Sequence, residues 1–232
     1  MSVVHHLQQF HIPFDVDAFM SGHKDCPDDK PLIQELWQKV TPSVFWREES
    51  ISRNDGDRLV LGQDALQIDS CYVCKGLVQC NKATMMALTI GSGLPDEART
   101  AAQQGQLYRS AVADYIGSHA VEMLAEAFCQ YLQQQALPRG LYATLRYSPG
   151  YGDWALTAQT DVFRFLNHCK GQIVLSENCL MEPIKSITAI IGWSSQWQKP
   201  EYPKGEHNSF CNGGHNCAAC VTWACRKGKR VK

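Results

Sequence analysis

Residues 106–135 place the strongest constraint on how this chain can fold. Leu107, Ala111, Val112, Val121, Leu124, Ala125, Phe128 and Leu132 recur at helical spacing and make one broad apolar face. Pro138-Arg139-Gly140 ends the pattern. A helix this long is stabilised mainly by burying such a face against other elements. Residues 31–40 repeat the period through Leu32, Ile33, Leu36, Trp37 and Val40, with Pro42 as the stop. Residues 43–70 change to short runs between turn residues, and Asn54-Asp55-Gly56-Asp57 predicts a hairpin. Residues 83–90 read as a buried strand that stops at Gly91-Ser92-Gly93, and residues 95–105 as a short helix. Beyond the long helix, residues 141–147 predict a strand feeding a glycine-rich loop. Residues 157–168 predict a helix striped by Val162, Phe163 and Leu166, and residues 173–175 and 187–191 two short strands. Helices and strands do not alternate strictly. The expected class is therefore α+β: a central, mainly antiparallel twisted sheet flanked by helices, with a C-terminal Cys-rich tail. The expected organisation is an N-terminal helical region over residues 1–50, a core over 51–195, and a linker and tail over 196–232. The polar, linker-like composition already begins at Trp193.

Composition narrows the function classes. Hydrophobic residues make up 44% of the chain, enough for a sizeable core. A net charge of −1 gives no global attraction to nucleic acid or to an anionic membrane. Arg226, Lys227, Lys229, Arg230 and Lys232 cluster at the end and read as a solvated tail. The first 17 residues lack the pattern of a signal peptide, and the apolar run at residues 187–193 is too short to span a bilayer. The expected location is the cytoplasm. There the 11 cysteines are reduced and read as thiols or metal ligands.

Two segments carry chemistry. The first is Leu145-Arg146-Tyr147-Ser148-Pro149-Gly150-Tyr151-Gly152-Asp153-Trp154. The second is Leu175-Ser176-Glu177-Asn178-Cys179-Leu180-Met181-Glu182-Pro183-Ile184-Lys185-Ser186-Ile187. The pair resembles the activation domain of cobalamin-dependent methionine synthase, which binds S-adenosylmethionine (AdoMet). That family's R-x-x-x-G-Y motif is matched by Arg146, Gly150 and Tyr151. Its L-T-E-S-x-x-M-x-P-x-x-S-V motif is matched by Leu175-Ser176-Glu177, Met181, Pro183 and Ser186-Ile187. The likeness runs in order over residues 75–192, through Cys80-Asn81-Lys82-Ala83, Leu88-Thr89-Ile90-Gly91, Asp114-Tyr115-Ile116-Gly117-Ser118 and Leu124-Ala125-Glu126-Ala127-Phe128. It resembles the pattern of short, stand-alone members of that family. Ala155 stands where such members tend to have proline, and no D-x-H-x-x-G corrinoid motif is present.

The resemblance implies a set of roles. Arg146 would bind the AdoMet carboxylate, since a guanidinium makes two parallel charge-assisted hydrogen bonds to it. Ser148, Gly150 and Tyr151 would complete the loop, and Tyr151 would stand at the mouth facing a corrin, closest to the reaction. Gly150 and Gly152 would let backbone approach the ligand, and Pro149 would stiffen the loop. Glu126 and Glu177 would add carboxylates, and Asp15 and Asp17 are the candidates for an N-terminal acid. Plainer roles exist beside these. Pro-Gly is a common turn, Glu126 could mark the edge of a buried face, Glu177 and Ser186 could be structural, and Met181 could be core. The implied reaction is the reductive methylation of cob(II)alamin on a separate corrinoid methyltransferase, with an electron donor such as flavodoxin or ferredoxin. The chain would then be a component of that methyltransferase activity. Its work would be positional, with no side-chain acid, base or nucleophile required.

The tail adds Cys211, Cys217, Cys220 and Cys225 in the spacing C-x5-C-x2-C-x4-C. Soft ligands so close together suit an iron–sulfur cluster or zinc, with His207 and His215 as substitute ligands. Cys71, Cys74 and Cys80 form a second group, C-x2-C-x5-C, a weak metal motif set against the plainer role of a buried free cysteine as a small hydrophobe. Gly91-Ser92-Gly93 lacks the third glycine of a dinucleotide fingerprint. A competing reading is an iron–sulfur or zinc protein that uses the same fold for electron transfer or for assembly of a methyltransferase complex.

Overall fold

A computed structural model describes residues 3–23, 25–63 and 65–196. Its centre is a seven-stranded sheet. The strands are β1 (His5–Gln8), β2 (Ser43–Asn54), β3 (Arg58–Leu61), β4 (Leu66–Asp69), β5 (Lys82–Thr89), β6 (Tyr142–Ala143) and, after a small separate hairpin of β7 (Val174–Leu175) and β8 (Met181–Glu182), β9 (Ser186–Ser194). The order is β4-β3-β2-β5-β9-β6, with β1 also paired to β2, and every pairing is antiparallel. The α+β class expected from the sequence is the one observed.

Among the described residues six α-helices flank this sheet: α1 (Val16–Gly22), α2 (Lys30–Trp37), α3 (Cys71–Gly76), α4 (Gly93–Gln103), α5 (Leu107–Ala136) and α6 (Gln159–Phe165). Both faces of the sheet are covered, which explains why β5 is mostly apolar and buried at nearly every position. Side chains alternate across a strand. Met86 and Leu88 of β5 enter one core with α1, α2, α4 and α5, around Phe19, Leu36, Ile116, Leu124 and Phe128. Met85 and Ala87 enter a second core with α3 and α6, around Val73, Leu77, Phe163 and Trp154. The N-terminal elements belong to this body: Ile12, Val16 and Phe19 are buried in the α5 core, and β2 itself crosses position 50.

The long helix, the Asn54–Asp57 turn and strands β5 and β9 lie where periodicity puts them. Three local expectations are corrected. The segment 141–147 is regular strand only at β6. It then follows β9 irregularly, with Thr144 N–H bonding Gly192 O at 3.0 Å and Tyr147 exchanging bonds with Ile190 at 2.9 and 2.7 Å. The helix expected over 157–168 begins as a 3-10 turn and stops at Phe165, because Asn167, His168, Cys169 and Lys170 all take positive φ. The linker-like composition at Trp193 is not a linker there. Trp193 is wholly buried in β9, and its indole N–H donates to Thr84 Oγ1 at 2.8 Å. No helix among the described residues is long and apolar enough to cross a membrane.

Candidate functional site

The segment between β6 and α6 sits on the seam between the two cores. Tyr147 anchors it to β9 and packs its hydroxyl so close to Gly76 of α3 that a Cβ there would lie 2.1 Å from the oxygen. Arg146, one residue earlier, points toward α5. Its Nη2 lies 2.6 Å from Glu122 Oε2, with the arginine side chain 12% exposed and the glutamate 29%. Burial opposes a guanidinium charge, but the Glu122 carboxylate, aided by Glu126, more than offsets it and holds Arg146 charged. Cys129, also on α5, is pushed up to about 11 by burial and stays a thiol.

The loop after Arg146 is closed by its own backbone. Gly150 N–H donates to Trp154 O at 2.7 Å, Tyr151 N–H to Ser148 O at 3.3 Å, and Trp154 N–H to Tyr151 O at 3.1 Å. Ser148, Gly150 and Tyr151 are half-buried. Gly150 and Gly152 have φ of +88° and +60°, the left-handed region where glycine costs least. They also face packed side chains: a Cβ on Gly150 would meet Leu156 Cδ1 at 3.3 Å, and one on Gly152 would meet Tyr72 Cδ1 at 2.9 Å. Turn geometry and packing thus account for both glycines without a ligand.

Asp153 moors the loop to α3. Its carboxylate accepts from the Ser70 hydroxyl, from Cys71 N–H at 2.8 Å and from Tyr72 N–H at 3.2 Å. Burial alone would raise its pKa, but these donors outweigh burial and hold it below the usual carboxylate value. Tyr72 then lays its ring 5.0 Å from that of Tyr147.

Two buried side-chain polar atoms among the described residues lack a hydrogen-bond partner, Arg146 Nη1 and Trp154 Nε1. Both belong to this one segment. A buried donor left unpaired costs about 1–3 kcal/mol, so an acceptor brought to either atom would be stabilising. The guanidinium is a fork with one prong engaged by Glu122 and one prong free. That is the donor set that suits a carboxylate.

The remaining candidates divide. Glu126 lies one turn beyond Glu122 on α5, exposed, where it accepts from Gln130 Nε2 at 3.1 Å and acts electrostatically on Arg146. Glu177 is exposed on the turn between β7 and β8. Ser186 donates to Pro183 O at 2.6 Å, and Met181 packs against the second core, the plainer roles considered for both. Asp15 caps α1 through Ala18 N–H at 2.7 Å, and Asp17 pairs with Lys30 at 2.7 Å. Cys211, Cys217, Cys220 and Cys225 lie outside the described residues. Among the described residues no group of three or more His, Cys, Asp and Glu could hold a metal ion.

Glu122 and Asp153 are functional candidates that the sequence reading missed. Glu122 was accessible as the acid one helical turn before Glu126. Asp153 was accessible as the carboxylate ending Gly-Tyr-Gly-Asp, although its partners lie some 80 residues away in sequence.

No family model matches the chain, and no curated protein does. Its fold is shared with a solved structure, the MetH reactivation domain bound to AdoHcy. The likeness has a TM-score of 0.53 at 14% identity and covers 85% of this chain and 80% of that one. The chain thus has the fold of a reactivation domain.

Proposed function

We propose that this protein is an AdoMet-binding reactivation module that supports reductive methylation of cob(II)alamin on a separate corrinoid methyltransferase of the methionine synthase kind. The observation that carries this reading is the buried, unpaired Nη1 of Arg146, in a fold shared with a domain bound to AdoHcy. The reaction served joins one electron, one cob(II)alamin and the methyl cation of AdoMet to give methylcobalamin and AdoHcy.

Each part of the loop has a task in this reading. Arg146 receives the amino-acid carboxylate on its free prong while Glu122 fixes the other prong, so little side-chain freedom is lost on binding. Glu122 also supplies negative charge beside the ligand's ammonium, and Glu126 adds to it. Asp153, through Ser70 and the first turn of α3, holds the loop so that Ser148, Gly150 and Tyr151 keep one shape. Tyr151 stands at the mouth, toward the corrin of the partner. The chain acts by orientation, which can supply several kcal/mol when reacting atoms are held at attack distance. This reading includes a cytoplasmic corrinoid partner and an electron donor such as flavodoxin or ferredoxin. It makes the tail cysteines a zinc or iron–sulfur site, to be checked by metal analysis of anaerobically purified protein.

The test is a reconstitution. A corrinoid methyltransferase holding cob(II)alamin is mixed anaerobically with reductant, AdoMet and this protein, and the visible spectrum is followed. Conversion to methylcobalamin should depend on this protein and fall at least tenfold with Arg146→Ala. Conversion at the same rate without the protein, or unchanged by the substitution, would overturn the reading.

A further inference from the structure

Cys71 and Cys74 share the first turn of α3. Cys71 is exposed at the surface and Cys74 is buried in the second core. Residues three apart on a helix have Cα atoms about 5 Å apart, inside the window of about 4.4–6.8 Å that a disulfide needs. The C-x-x-C spacing with one accessible and one sheltered sulfur is the arrangement of thiol–disulfide exchange pairs. The described residues hold five further cysteines, Cys26, Cys80, Cys129, Cys169 and Cys179, but none of these shares a helical turn with another.

We propose that Cys71 and Cys74 form a reversible intramolecular disulfide, made by exchange with a low-molecular-weight disulfide and undone by a thiol or dithiol. Cys71, as thiolate, attacks the small disulfide, forms a mixed disulfide and expels one small thiolate. Cys74 then gives up its proton and attacks Cys71 Sγ, expelling the second. Two protein thiols become one disulfide, and one small disulfide becomes two small thiols.

The surroundings favour the oxidised form once it is made. Burial, with Cys71, Asp57, Asp153 and Asp55 nearby, pushes the Cys74 thiol up to about 11. A site that disfavours thiolate makes its dithiol easier to oxidise at equilibrium, and it also makes the closing step slow. The bond would act on a turn that matters. Cys71 N–H and Tyr72 N–H bind Asp153, and Tyr72 packs on Gly152, so the pair sits under the mooring of the Arg146 loop. The inference rests on the cysteine pair alone and does not need AdoMet to bind.

The test uses the full chain incubated in glutathione buffers of increasing oxidised fraction, quenched by alkylation and mapped after trypsin. Residues 59–75 make one tryptic peptide containing both cysteines and no other. In oxidising buffer this peptide should lose two hydrogens, resist alkylation, and regain both thiols on return to reducing buffer. Cys74→Ser should trap glutathione on Cys71, and Cys71→Ser should leave Cys74 unmodified. Free thiols in the wild-type peptide at the oxidising end would overturn the proposal. So would persistent glutathione on wild-type Cys71, or a bond from Cys71 to a different peptide.

Discussion

Arg146 and Glu122 meet at 2.6 Å between the glycine-rich loop and the long helix, and the pairing leaves Arg146 Nη1 buried without an acceptor. The fork is thus half satisfied by the protein itself. In the proposed reading the free prong, not the ion pair, is the part that takes the ligand.

Removing one partner of such a pair leaves the other as an uncompensated buried charge. Glu122→Gln should lower stability by about 1–3 kcal/mol, read as a fall in the urea midpoint. Arg146→Met with Glu122→Gln should cost less than the two single changes added, because the double variant leaves no unpaired charge. Additive losses would mean that the two residues do not depend on each other.

The Asp153 mooring makes a pH prediction with a definite sign. Its folded pKa is depressed, since Ser70 and two α3 amides outweigh burial. Its contribution is therefore complete above the unfolded value, about 3.9, and is lost as pH falls through the lower folded value. Asp153→Ala should cost about 1 kcal/mol at neutral pH, the usual worth of a helix cap, and should flatten the acid limb of the stability profile.

Gly152→Ala tests whether loop shape matters to ligand binding. The new Cβ would lie 2.9 Å from Tyr72 Cδ1 at a φ of +60°. A loss of about 1–2 kcal/mol in stability is expected, together with weaker AdoMet binding, since the ring must move and the loop with it. Unchanged affinity at reduced stability would separate the loop's shape from its role.

His119 supplies a second pH dependence, remote from the loop. It is buried on α5 among Phe19, His23 and Tyr115, and burial followed by His23 lowers its pKa from 6.5 to about 4. Between these values the unfolded chain binds more protons, so stability should decline as pH drops from about 6.5 toward 4. His119→Gln should remove that slope in a series of thermal melts.

Much of this fold was legible because burial left a period in the sequence. The α5 helix shows its face through Leu124, Ala125, Phe128 and Leu132, and β5 shows an apolar run because both its faces are covered. The elements that escaped are short or polar. Strand β1 reads His-His-Leu-Gln, mostly exposed, and is a strand only because β2 offers it partners. Helix α3 has six residues, fewer than two turns, and is fixed by Ser70 and Asp153. The site divides the same way. Arg146 and the loop were visible as a local motif. The partners that shape them, Glu122 and the Ser70–Tyr72 turn, lie 24 and about 80 residues away, and only the fold brings them together.

The most direct test is calorimetric titration of AdoMet into the wild-type protein and into Arg146→Ala, each shown to be folded by circular dichroism. Wild type should bind one AdoMet per chain, and the variant should bind at least tenfold more weakly. That is the loss of about 1.4 kcal/mol or more expected when a charge-assisted hydrogen bond is removed. Equal affinity in the two proteins, or no binding by wild type either alone or with a corrinoid partner present, would contradict the assignment of Arg146 as the ligand's anchor.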